Sequence, residues 1–166
     1  MVAALAGRPD PEGEVLPVAE AKNVSVSSGP GRYRVVVVDD SPTILGLFEL
    51  MVMPEDDPVF EIVGAAEDGI QGLETVLRLE PDLVILDYEM PGLDGLSLIR
   101  KIGESLPKTA VFLMSSHVEE SAALESAALE AGALDFIPKP QKDYNSSAIR
   151  PLIELHLKKN GILPRK

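Results

Sequence analysis

Five polar residues each close or follow a short apolar run. Asp39 and Asp40 follow Val35–Val38, Asp87 closes Leu83–Leu86, Ser115 closes Val111–Met114, and Lys139 follows Leu134–Pro138. Brought together, these groups define a chemistry. Two carboxylates about 4 Å apart repel by roughly 4 kcal/mol at an effective dielectric of about 20. Three together would force a proton onto one of them unless a cation compensates. Mg2+ does this well, because it takes carboxylates, waters and phosphate oxygens as ligands. Lys139 adds a second positive charge and Ser115 a hydroxyl. A metal, an ammonium and a hydroxyl donor are what a phosphoryl group needs around its oxygens during transfer. Asp87, on the central run, is the candidate nucleophile, since aspartyl phosphates are a known class of covalent intermediate.

The elements that must position these residues follow from periodicity. Short apolar runs alternating with helical patterns read as buried parallel strands with crossover helices. Strands are expected at about 34–39, 59–64, 82–87, 110–115 and 133–137. Helices are expected at about 42–53, 68–79, 95–104, 118–131 and 146–159. Ser41 and Pro42 suit the N-cap and first position of the first helix, and Asn160-Gly161 suits the end of the fifth. Pro151 fits the first turn of that last helix, which favours a start later than residue 146. The first helix carries Ile44, Leu45, Leu47, Phe48 and Met51 at helical spacing. The second is expected to bury Ile70, Leu73, Val76 and Leu77. This alternation predicts an α/β fold: a doubly wound five-stranded parallel sheet, order 2-1-3-4-5, with helices on both faces. Ligands in such sheets sit outside the carboxyl ends of the strands, where all five polar residues lie. The repeat Ser121–Glu125 and Ser126–Glu130 has a period of five, so Leu124 and Leu129 fall on different helical faces.

Composition narrows the function classes. The chain has 166 residues, enough for one domain and a tail, and 45% of them are hydrophobic. It has no cysteine and two histidines, which excludes disulfides and thiolate metal sites and disfavours a multi-histidine zinc site. A net charge of -12 opposes binding to nucleic acid or to anionic membranes. No apolar stretch reaches the roughly 20 residues of a membrane span. The N-terminus lacks the basic start and apolar centre of a secretion signal, and a cytoplasmic location is expected. Residues 1–32 are rich in Pro, Gly, Ser and Glu and read as a disordered tail. Residues 33–160 form the expected domain, and 161–166 a C-terminal tail.

Asp39-Asp40, Asp87-Tyr88-Glu89-Met90-Pro91-Gly92-Leu93-Asp94-Gly95, Ser115 and Phe136-Ile137-Pro138-Lys139-Pro140, in this order and each at a strand end, resemble a bacterial response-regulator receiver domain of flavodoxin-like fold. The wording around Asp87, Ser115 and Lys139 is most similar to the receiver half of the chemotaxis methylesterase. The resemblance implies a role for each residue. Asp87 would be the phosphoacceptor. Asp39, Asp40, Asp87 and the backbone carbonyl of Glu89 would hold Mg2+. Lys139 and Ser115 would bind the phosphoryl group. Ser115 and Phe136 would form the switch pair. It further implies a histidine kinase as donor and chemotaxis-type signalling. A downstream protein would read the helix 4/strand 5/helix 5 face, which is also a candidate homodimer surface. The chain itself would be a signalling domain and no enzyme beyond its own phosphoryl transfer and dephosphorylation.

The sequence departs from that pattern in three places. The spacing from Ser115 to Phe136 is slightly long, Phe136 replaces a frequent Tyr, and the chain closes at Lys166 without a methylesterase domain. A stand-alone receiver and a receiver whose output domain is absent are both consistent with this. A Mg2+-dependent aspartyl-nucleophile phosphatase is the enzymatic alternative, with Glu89 two residues past the nucleophile as its acid. Asp94-Gly95 reads as a turn and helix start, His117 as a loop residue beside the site, and His156 as a surface residue.

Overall fold

The computed structural model of the chain describes residues 31–51, 59–116, 122–139 and 148–164. Strands and helices alternate through them: β1 (Tyr33–Val38), α1 (Pro42–Met51), β2 (Phe60–Ala66), α2 (Gly69–Leu79), β3 (Leu83–Asp87), α3 (Gly95–Ser105), β4 (Ala110–Ser115), α4 (Ala122–Ala131), β5 (Asp135–Pro138) and α5 (Ile149–Lys159). The strands pair in parallel in the order β2-β1-β3-β4-β5. This is the topology expected from the sequence. β3 and β4 are buried along their whole length, so their sequences are unbroken apolar runs instead of alternating ones.

The two-residue period of a strand divides the core into two layers. Val35, Val37, Ile85 and Phe112 face one way and pack with Phe48 of α1 and with Ile149, Ile153 and Leu157 of α5. Val36, Val38, Val84, Leu86 and Leu113 face the other and pack with α2, α3 and α4 through Val76, Leu98, Ile99, Ile102 and Ala128. On α4, Leu124 is partly buried while Leu129 is exposed, the separation that the five-residue repeat predicts. No helix among the described residues is long and apolar enough to cross a membrane.

The face of α2 differs from expectation. Val76 is buried and Leu73 half-buried, but Ile70 is 60% exposed and Leu77 42% exposed. The buried stripe runs through Gly69, Gly72 and Val76. A Cβ on Gly72 would lie 2.7 Å from Cγ1 of Val38, so α2 comes against β1 on its glycines. That rotation turns Ile70 and Leu77 outward.

Element ends follow local chemistry. The carbonyl of Ser41 accepts from the amides of Ile44 and Leu45 at the start of α1. Asp68 caps α2 by accepting from the amides of Ile70 and Gln71. Asp94 caps α3 by accepting from the amide and hydroxyl of Ser97, the turn-and-start role expected of Asp94-Gly95. α5 begins at Ile149, and Pro151 is its third residue, where a missing N–H costs little. It ends at Asn160, and Gly161 takes the left-handed φ of 66° that glycine accommodates without strain. The expected tail up to residue 30, positions 52–53 of the first helix and 118–121 of the fourth, and His117 lie outside the described residues.

Candidate functional site

The carboxyl ends of β1, β3, β4 and β5 bring the candidate residues to one edge of the sheet. Asp39 follows β1 directly and is tied to β2 by its amide, which donates to the Ala66 carbonyl (3.0 Å). Asp87 is the last residue of β3, Ser115 the last of β4, and Lys139 follows β5. Two backbone bonds fix these ends to β4. The Tyr88 amide donates to the Met114 carbonyl (2.9 Å) and the Lys139 amide to the Ser115 carbonyl (3.0 Å). Asp39, Asp87 and Ser115 are buried, while Asp40 and Glu89 are exposed. Carboxylate oxygens of Asp39, Asp40 and Asp87 lie within 4.8 Å of one another.

Asp39 and Asp87 use the same device. In each, Oδ1 accepts from the backbone amide two residues on: Ser41 for Asp39 (2.8 Å) and Glu89 for Asp87 (3.1 Å). Such turns are a standard use of an aspartate at the end of a strand. They leave both Oδ2 atoms for the centre of the site. Lys139 Nζ lies 2.8 Å from Asp87 Oδ2 and 3.2 Å from Asp39 Oδ2. Apart from that ammonium, neither Oδ2 has a partner among the described residues.

Among the described residues the charges do not balance, since one ammonium faces three carboxylates. Burial pushes the Asp87 carboxyl above the ordinary carboxylate range, and the charge of Asp39 adds to the push. Hydrogen bonds from Lys139 and Glu89 only partly offset this. Burial pulls the Lys139 ammonium down, but its contacts with Asp87 and Asp39 outweigh that and hold it above its usual range. The cluster therefore fits a hard divalent cation on its donor set alone: three carboxylates close together, two of them with a buried oxygen otherwise unbonded.

The remaining expected residues take varied positions. Phe136 is half-buried and packs against the α2–α3–α4 layer, opposite Leu113 in the β4–β5 register, two residues before Pro138, which pairs with Ser115. Glu89 contributes its backbone amide to Asp87. A cleft beside the site is lined by Tyr88, Leu96, Ser115, Leu124 and Ala127 among others. His156 is a correction to the sequence reading. It is half-buried, its Nε2 lies 3.1 Å from Asp135 Oδ2, and its ring meets Phe112 edge-on with centroids 6.3 Å apart. α5 places it over the sheet, one residue before the core residue Leu157, so it joins α5 to β5. The backbone amides of Ser41 and Glu89, which set the two aspartates, were not singled out from the sequence. The signal was present in the aspartate-to-loop transitions themselves.

The chain is similar to known proteins in sequence and in fold. The profile of the family described as "Response regulator receiver domain" matches residues 35–149. A protein-glutamate methylesterase/protein-glutamine glutaminase of Symbiobacterium thermophilum is 48% identical over 107 residues, which are 64% of this chain and 29% of that protein. A protein of the same description from Geobacter sulfurreducens is 39% identical over 132 residues, 80% of this chain and 34% of that one. The chain thus spans about a third of the length of these relatives. Among solved structures, the response regulator domain of Thermotoga maritima CheB matches with a TM-score of 0.65 and 33% identity, over 77% of this chain and 95% of that one. The REC domain of AraT, a response regulator from Geobacillus stearothermophilus, matches with a TM-score of 0.65 and 26% identity, over 78% and 95%.

Proposed function

The chain belongs to the response regulator receiver domain family, and from that premise we propose that it is a phosphorylation switch with Asp87 as phosphoacceptor. One observation carries the reading. Among the described residues, the Oδ2 of Asp87 is buried, has no hydrogen-bond partner besides the Lys139 ammonium, and lies among carboxylates that leave negative charge uncompensated.

Asp87 Oδ2 attacks the phosphorus of a phosphohistidine on a histidine kinase. The new O–P bond makes an acyl phosphate, and the P–N bonding pair leaves with the imidazole. The Glu89 amide holds Oδ1 and so fixes the plane of the attacking carboxylate. Lys139 neutralises charge on the phosphoryl oxygens, and the Ser115 hydroxyl donates to one of them. Asp39, Asp40, Asp87 and the Glu89 carbonyl would hold Mg2+, which would supply charge compensation for the incoming phosphoryl oxygens. Drawing Ser115 toward the phosphoryl group moves the end of β4, and Phe136 on the neighbouring strand changes its packing with it. The α4–β5–α5 face then differs between the two states, and a downstream protein or a second copy reads that difference.

The similarity to methylesterase relatives favours chemotaxis-type signalling in the cytoplasm, with residues 33–160 as the receiver and 1–32 as a tail. Whether the chain acts alone or beside an output domain, the chemistry at Asp87 is the same. A binding test separates this reading from a phosphatase. Beryllofluoride with Mg2+ should shift the amide signals of Asp87, Ser115 and Lys139 in the parent but not in Asp87→Asn, and a simple phosphomonoester should not be turned over. Steady turnover of the phosphomonoester would assign the site to the enzymatic class instead.

A further inference from the structure

The loop between β3 and α3 carries Glu89, and its two ends are tied to the site. At its start, the Tyr88 amide bonds the Met114 carbonyl and the Glu89 amide bonds Asp87 Oδ1. At its end, Asp94 caps α3, and a Cβ on Gly95 would lie 3.3 Å from the Asp87 carbonyl oxygen. The middle leans on a different element, the first turn of α2. A Cβ on Gly69 would overlap the Leu93 carbonyl oxygen and lie 2.8 Å from Leu93 Cβ. One residue along, the Ile70 side chain lies 3.9 Å from the Cβ position of Gly92, whose φ of 88° needs glycine. Gly69 is itself buried and stands directly after Asp68, whose cap fixes the start of the helix.

We infer that Gly69 is a positioning residue for the metal and phosphoryl site. It acts through the backbone of Leu93 and sets how closely the 88–94 loop approaches Asp87. The inference rests on the reading of Asp87 as phosphoacceptor with Mg2+ beside it. The partner atom decides its strength. At Gly72 the obstacle to a Cβ is Cγ1 of Val38, and at Gly64 it is Cδ1 of Leu79; both are side chains. At Gly69 it is main chain, and moving it moves the loop. To reach ordinary contact, Leu93 must retreat by about 1 Å, a displacement that can cost 100-fold when it reaches a catalytic constellation. Mg2+ is demanding in this respect because it takes near-ideal octahedral geometry.

The test compares two substitutions on one helix. Mg2+ is titrated into the parent, Gly69→Ala and Gly72→Ala, followed by the amide signals of residues 87–95, and the stability of each is measured by denaturation. Gly69→Ala should weaken Mg2+ binding by about 10- to 100-fold, the range seen when a group supporting metal ligands is removed. Gly72→Ala should lose stability while its folded fraction binds Mg2+ as the parent does. Parent-like Mg2+ affinity in Gly69→Ala, or equal weakening in both variants, would overturn the assignment. Failure of the parent to bind Mg2+ would instead overturn the metal reading on which it rests. If Gly69→Ala does not fold, hydrogen exchange of the parent answers the question. Mg2+ should then slow exchange at Gly69–Gln71 together with Glu89–Asp94, and an unchanged first turn of α2 would contradict the inference.

Discussion

The two ends of the sheet both bury aspartate, and they treat it in opposite ways. At the amino end, Asp82 is 2% exposed, and its Oδ2 accepts from the Arg34 amide (2.9 Å). The Arg34 guanidinium donates to the carbonyls of Leu79 (2.8 Å) and Glu80 (3.3 Å), closing the end of α2 where Glu80 takes a left-handed φ of 45°. Thr109 Oγ1 donates to the Pro81 carbonyl (2.7 Å). Each of these bonds joins a side chain to backbone, and each holds one chain segment to another. At the carboxyl end, Asp39 and Asp87 face each other across one ammonium, each with an oxygen that, among the described residues, only the ammonium approaches. Burial is common to both ends and therefore does not identify a functional carboxylate. Uncompensated like charge marks the candidate.

The comparison predicts a graded set of effects. The largest is at Asp87. Asp87→Asn should abolish phosphoryl acceptance and, in the absence of metal, raise the melting temperature. The sign follows from the raised carboxyl. Its contribution to stability is complete below the unfolded value of about 3.9 and is lost as pH rises through the folded value. Ionised Asp87 therefore costs stability at neutral pH, and the advantage of the Asn variant should disappear in strong acid. Melting curves across pH decide this, and a Tm that falls at neutral pH would contradict it.

Lys139→Met should cost about 3 kcal/mol without metal, because it strands two buried carboxylates. Mg2+ should return part of that loss. Urea denaturation with and without Mg2+ measures it, and a Mg2+-independent loss would mean that the lysine serves only the fold. Asp82→Ala should cost about 2 kcal/mol, from the unpaired Arg34 amide. Here the loss should be the same with and without Mg2+, and phosphoryl acceptance of the folded protein should match the parent. The smallest effect is expected at Thr109→Val, about 1 kcal/mol from losing the buried hydrogen bond to the Pro81 carbonyl. A slower phosphoryl acceptance in either amino-end variant would erase the distinction between the two ends.

The carboxyl end was legible in the sequence and the amino end was not, for a physical reason. A parallel sheet buried on both faces writes its strands as continuous apolar runs, and Val35–Val38, Leu83–Leu86 and Val111–Met114 end where the candidate site residues begin. Asp82, Arg34 and Thr109 act through backbone carbonyls and amides, which carry no residue-type signal. The face of α2 was read rightly at Leu73 and Val76 and wrongly at Ile70 and Leu77, because its close contacts are made by Gly69 and Gly72. Where a helix packs on absent side chains the buried stripe carries no hydrophobic signal, and Ile70 and Leu77 widened the apparent stripe to the exposed side. His156 read as surface because its pairing with Asp135 depends on the register of α5 over β5, which no residue pattern states. Pro151, by contrast, correctly signalled the late start of α5, since its ring is tolerated only in the first turn.

The most direct test of the central claim is the intact mass of the protein after incubation with acetyl phosphate and Mg2+, beside Asp87→Asn. The account predicts one added phosphoryl group on the parent, none on the variant, and none when Mg2+ is chelated. An unmodified parent that also leaves acetyl phosphate unconsumed, or equal modification of the variant, would contradict the assignment of Asp87 as phosphoacceptor.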